Sequence, residues 1–285
     1  MKKIITCLLA LALTSTVWAQ ERNRIITVAI TDVSYHKQEK TTVSSVLGAL
    51  LDASAGQVTI DKGKYVDAVR ARIIGGISKT YRLRSIDGQY KPEEVKDDGS
   101  TLYADATLTN ISTTQKEEVV NTEKKTKRIL YKAQISVTVH LKDAATDKVV
   151  NSTTFNISDY DCSWVETAEG AITNALERLQ RNIRNYYDKK YPLRASIIEG
   201  ASEKKDKQKE VYIDLGSADR AFVGMHLAVR IQKTIAGKDA SKEVGKIKIT
   251  ELLGDDISLC KVQKGGAEIK EALEKGENVV VVSLE

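Results

Sequence analysis

The sequence predicts an α+β protein: an α/β sandwich with helices packed on a mixed sheet, followed by a small all-β, barrel-like domain. Three patterns carry this expectation. Arg24 to Val33 (RIITVAITDV) is a near-continuous run of Ile, Val and Thr, which suits a strand buried on both faces. Tyr131 to Leu141 alternates strictly between apolar and polar residues, the period of a half-buried antiparallel strand. Beyond Leu193, short strand-like runs are punctuated by Gly200, Gly216, Gly224, Gly237, Gly254 and Gly276, the texture of a small barrel or sandwich.

Composition agrees with a folded chain. The 285 residues are 41% hydrophobic, too apolar for disorder, and only two are proline, which excludes Pro-rich linkers. Lys and Arg number 44 against 39 Asp and Glu, a net +5 that is mild and dispersed. The first segment reads as a signal peptide over 1–19: Lys2 and Lys3 precede the apolar run Ile4 to Leu13, and Val17-Trp18-Ala19 offers a cleavage site. Cys7 lies inside the apolar run and not at its end, so acylation is not expected. The mature chain is expected to be exported, to the periplasm or in association with the outer membrane, with no transmembrane helix.

After the first strand, Val43, Val46, Leu47, Leu50 and Leu51 form a helical stripe over Thr42 to Ser54. Val66, Val69, Ile73 and Ile77 mark a second helix that Gly75-Gly76 weakens near its end. Tyr81 to Ile86 reads as a strand. Two long strands, Tyr103 to Ser112 and Ile129 to Lys142, flank a charged tract from Gln115 to Arg128, read as a hairpin tip, and Val149 to Ile157 returns as a further strand. Ser163-Trp164-Val165-Glu166 has the spacing of a capping box, opening a long helix with Ala168, Ile172, Ala175, Leu176, Leu179, Ile183 and Tyr186 on one stripe; Pro192 follows its end. The first domain is thus 20–192 and the second 193–285. In the latter, Glu203 to Glu210 (EKKDKQKE) reads as a solvated hairpin loop and Glu268 to Glu274 as one or two helical turns.

In order, Val66–Ile77, Ala104-Asp105-Ala106-Thr107-Leu108-Thr109, Lys142 to Lys148 (KDAATDK) and Ala168–Leu179 resemble the CsgG-like/TolB-N-terminal-like domain. Val211 to Ser217 (VYIDLGS), Gly224 to Val229, Val244 to Ile247 and Cys260 to Val262 resemble the C-terminal domain of flagellar assembly protein T. The resemblance implies an envelope interaction module that assembles with itself or docks on a larger machine, not an enzyme. Pore formation, known among the curli-type members, is not implied here: the lipidated cysteine is absent and the Gln115–Arg128 tract is too charged to cross a bilayer.

Chemistry-bearing motifs are sparse. Neither GxxxxGK[ST] nor a post-strand GxGxxG occurs, so no nucleotide cofactor is expected. His36, His140 and His226 lack the spacing of metal ligands, and no metal is expected. Asp32 with His36 four residues on is the one acid/base-like pair, the basis of a hydrolase reading ranked last. Cys162 precedes a helix start, where the dipole lowers a thiol pKa, and Cys260 sits in a strand-like run; both read as structural thiols, bridged or not. No catalytic residues are assigned.

Two candidate interaction surfaces remain. Lys124, Lys125, Lys127 and Arg128 cluster at the hairpin tip among Glu117, Glu118 and Glu123, either solvated or touching acidic polymers or lipid headgroups. Tyr186, Tyr187 and Tyr191 form either a partner-facing edge or a cover for the seam between domains. Nucleic acid is excluded, since no one-signed patch is interleaved with aromatics. The expected role is a non-catalytic assembly, scaffold or interaction subunit whose partners are other envelope proteins or further copies of itself. The alternative is a regulator of cell-wall synthesis that binds peptidoglycan.

Overall fold

The computed structural model describes residues 23–35, 57–59, 61–121, 126–235 and 237–284. The expected signal peptide, the expected helix over 42–54, His36, Lys124 and Lys125 lie outside them. The chain forms two compact units, Ile26–Tyr187 on the one hand and Met1–Ile25 with Asp188–Glu285 on the other. The division falls before Asp188 and not after Pro192, and it draws Asn23 to the second unit. Within that unit the Asn23 carboxamide hydrogen-bonds the backbone of Arg194.

The first unit is a mixed sheet. β1 (Ile26–Tyr35) runs parallel to both β3 (Leu83–Asp87) and β4 (Thr101–Asn121). β5 (Thr126–Asp143) and β6 (Val149–Ile157) continue antiparallel, giving the order β3-β1-β4-β5-β6, with the short β2 (Gln57–Thr59) added to β4. Helix α1 (Val66–Ser78) packs on β1 and β3, so Val28, Ala29 and Ile30 are all buried, as the apolar run at the start requires. On the helix-covered face lie Ala104, Ala106, Leu108, Val137, Val139, Leu141 and Phe155, all buried. The opposite face is polar: Thr138 and Thr154 hydroxyls meet at 2.9 Å, and Lys142 pairs with Asp105 at 2.6 Å. The alternation read in the sequence is therefore that of a sheet solvated on one side.

Two local features differ from expectation. The long helix α2 (Ala168–Lys190) starts after Thr167, whose hydroxyl accepts the Gly170 amide at 3.1 Å. The Ser163–Glu166 box is not the cap, because Val165 exchanges backbone hydrogen bonds with Tyr131 of β5 at 2.7 and 3.0 Å. Sheet pairing takes the segment that capping would have used. The Gly75-Gly76 pair does not weaken α1; it admits α2. A Cβ on Gly76 would stand 2.8 Å from Ile183 Cγ2 and 3.0 Å from the Gln180 carbonyl oxygen, so only glycine allows this approach.

The second unit is a closed barrel of β7 (Arg194–Lys204), β8 (Lys207–Ile213), β9 (His226–Ile235), β10 (Lys238–Leu252), β11 (Ser258–Lys264) and β12 (Val279–Ser283), in the order β10-β11-β8-β7-β12-β9. Its core includes Val211, Ile213, Leu227, Val229, Ile247, Ile249, Cys260 and Val281. Helix α3 (Gly266–Glu274) packs on β8 and β10 through Ile269 and Ala272. The charged Glu203–Glu210 tract is mostly strand. Lys204 pairs with Lys207, leaving a two-residue turn in which Lys205 and Asp206 both have φ above zero (51° and 56°), the geometry that matches strand twist.

Candidate functional site

The long β4–β5 hairpin outruns its sheet. β1 pairs with β4 as far as Leu108, β2 as far as Thr114, and β6 reaches β5 only from Ile135 on. Among the described residues, Gln115–Asn121 and Thr126–Leu130 therefore pair only with each other, as a two-stranded arm with two open edges. The tract read as a charged tip is thus mainly strand, because cross-strand pairs keep it extended.

Direct pairing of Glu117 with Ile129 and Glu118 with Arg128 fixes the faces of this arm. One face carries Val119 and Ile129 with the Lys127–Glu117 ion pair at 2.7 Å. The other carries Arg128, whose guanidinium meets Glu118 at 2.6 Å and Glu166 at 3.6 Å. Nearer the sheet on that second face, the ammonium groups of Lys116 and Lys132 lie 4.6 and 5.0 Å from the Trp164 ring centroid. The Glu117 hydrogen bond raises the Lys127 pKa, so the cation is held in its charged, paired form. Lys127 and Arg128 are consequently neutralised across the strands and do not make a basic patch. Beside these charged groups the arm also exposes apolar side chains: Val119, Val120 and Ile129 are 55%, 59% and 46% accessible.

The tyrosine candidates do not form a common edge. Tyr187 is wholly buried in the first unit and presents nothing to a partner. The Tyr186 hydroxyl accepts hydrogen bonds from Asn151 at 2.9 Å and Thr153 at 2.7 Å on β6, and its ring meets Phe155 edge-on at 5.5 Å. Both residues serve helix–sheet packing, the ordinary fate of a ring on the apolar stripe of a helix. Tyr191 is half-buried beyond the helix end.

Asp32 is exposed beside a bulge in β1, where Ile30 and Val33 pair with Ala104 and Ala106. Arg70 donates to the backbone here, to Ile30 O at 2.9 Å and Thr31 O at 3.0 Å, and also pairs with Asp87. This device was not legible in the sequence. His226 Nδ1 meets Gln263 Oε1 at 3.0 Å, and no cluster of metal-ligating side chains occurs among the described residues. Cys162 and Cys260 are free and buried. Burial raises the Cys162 thiol pKa, against the lowering expected from a helix start, and pushes Cys260 up to about 12. Cys162 stands outside α2, ahead of Thr167, where the dipole does not act on it.

No protein-family model matches this chain. No curated protein matches it either. Among solved structures, a Helicobacter pylori homolog of the neuraminyllactose-binding hemagglutinin is similar over 59% of this chain and 83% of its own, at 11% identity and a TM-score of 0.30. A DUF330 protein from Xanthomonas campestris covers 58% and 84%, at 8% identity and a TM-score of 0.31. The PelC dodecamer from Paraburkholderia phytofirmans covers 56% and 89%, at 11% identity and a TM-score of 0.28. Likenesses this slight carry no argument about function, which rests on this chain's own residues.

Proposed function

We propose that this chain is an exported, non-catalytic envelope protein that works through protein–protein contacts, as an assembly or interaction subunit. The observation that carries the reading is the β4–β5 arm, whose edges no other described strand covers and on which Val119, Val120 and Ile129 are exposed. An unpaired strand edge is a template for another strand, and proteins that have no use for one normally cover or shorten it. Here the arm is long, its Lys127 and Arg128 are paired across the strands, and apolar side chains stand exposed among the ion pairs. Strand addition supplies main-chain hydrogen bonds, while the exposed β-branched side chains supply contact area. The sequence resemblance to the CsgG-like fold family points the same way.

The test is size-exclusion chromatography with light scattering on the mature chain, alongside a pull-down from envelope extract, for the wild type and for Val119→Lys/Ile129→Lys. The expected result is an oligomer or a specific captured envelope protein that the double variant loses without unfolding. A wild type that stays monomeric and captures nothing overturns the reading.

A further inference from the structure

The barrel carries a strand-docking site of its own: we infer that the groove between β10 and α3 receives the β4 edge of a second copy's arm. This rests on the proposed docking role of the arm and gives the arm its partner. β10 pairs with β9 along Lys238–Lys248, but β11 reaches it only at Lys246. Two glycines are the cause. Gly245 lies so close to β11 that a Cβ would stand 2.6 Å from the Lys264 carbonyl oxygen, and Gly265, at φ 81°, turns the chain off β10 and into α3. Among the described residues, Lys238–Glu243 therefore has a strand on one side only. Beside that bare edge lies a cavity of about 420 Å³ whose apolar lining is Ile231, Ala240, Val244 and Ala272. Strand addition uses such a combination, with main-chain bonds along the edge and a hollow for alternate side chains.

Charge selects the occupant. Ala240 pairs with Lys233 and Lys242 with Ile231, which puts Ala240 and Lys242 on the cavity face of β10. On the arm, Val119 and Glu117 likewise share one face, two residues apart on β4. Added antiparallel with Val119 beside Ala240, β4 brings Glu117 beside Lys242 and, on the other face, Lys116 beside Glu243. Opposite charges directly across from one another stabilise a sheet, and like charges there destabilise it. With the same anchor the other edges clash. β5 with Ile129 beside Ala240 sets Lys127 against Lys242, and two β10 edges centred on Ala240 set Lys238 against Lys242. The exposed, β-branched Val119 gains the apolar hollow in return. Donor and acceptor are different surfaces, so each copy offers one of each and the contact runs head to tail.

The experiment is size-exclusion chromatography with light scattering on the mature chain over a range of concentrations. The wild type is expected to form oligomers. Glu117→Lys and Lys242→Glu, both changes at exposed positions, are each expected to raise the concentration needed for association about tenfold. An equimolar mixture of the two variants is expected to associate as the wild type does, because each arm then finds the opposite charge only in the other variant's groove. Mixing restores neither a contact made within one chain nor a fold damaged by substitution. A wild type that stays monomeric overturns the inference, and so does a mixture that stays dissociated. If Val119→Lys/Ile129→Lys disperses the oligomer and Lys242→Glu does not, the arm docks elsewhere: the inference falls and the proposed function stands. Lys242→Glu that leaves the oligomer intact but releases a captured envelope protein overturns it too, and assigns the groove to a foreign strand.

Discussion

The carboxamide of Asn23 reads the backbone of Arg194 as a neighbouring strand would: its Nδ2 donates to the carbonyl and its Oδ1 accepts from the amide, each at 2.8 Å. Asn23 is buried, so both groups lie out of water. Asn23→Ala is expected to destabilise the barrel unit by about 1–3 kcal/mol, because it removes two hydrogen bonds to the Arg194 backbone at once. Urea denaturation checks this, and hydrogen exchange locates it as faster exchange at the Arg194 amide.

The helix crossing gives a paired expectation. Gly76→Ala forces a Cβ against Ile183 and the Gln180 backbone, and is expected to cost about 1–3 kcal/mol. Gly75→Ala meets first the end of the Gln180 side chain, at 3.0 Å, and not backbone, and is expected to be near neutral. Equal losses in urea melts of the two variants would show that the crossing is not the tight point.

Acid stability follows from three carboxylates. Asp143 is held below its ordinary 3.8 by the Thr146 hydroxyl, then the Thr146 and Ala145 amides. Asp161 is lowered by the hydroxyl and amide of Ser158, and Asp87 by the hydrogen bond from Arg70. A depressed folded pKa means that the unfolded chain binds the proton first. These contributions are therefore complete above the unfolded value and are lost as pH falls through the folded ones. Melting temperature is expected to decline below about pH 4, and less steeply in Asp143→Asn/Asp161→Asn.

Neither Cys162 nor Cys260 is expected to react with a disulfide reagent in the native state at mildly alkaline pH, and both are expected to react in denaturant. Burial disfavours the thiolate at Cys162 and Cys260 alike. Cys260→Ser would place a hydroxyl in the barrel core and is expected to cost about 1–3 kcal/mol, read from the midpoint of denaturation.

Patterns of period two and 3.6 were legible because one-sided burial writes them directly. β6 occupies Val149–Ile157 as read, and the β5 stripe from Ala133 to Leu141 is buried throughout. The closed barrel too was legible from glycine-spaced short strands. What local pattern could not show was competition between partners. Ser163–Glu166 has capping chemistry, yet Val165 is claimed by Tyr131. The arm looked like a loop because its residues are charged, and its strand character comes from pairs such as Glu118 with Arg128 across the hairpin.

Closure of the barrel also bears on how this protein would go wrong at high concentration. Among the described residues the barrel closes through six paired strands, but its β9–β10 hairpin runs past its neighbours over Lys238–Glu243, and the ribbon of the first unit likewise presents strand edges that nothing covers. Fibrillar by-products of overproduction would then be built outward from such ribbons, with the closed part of the barrel carried along intact.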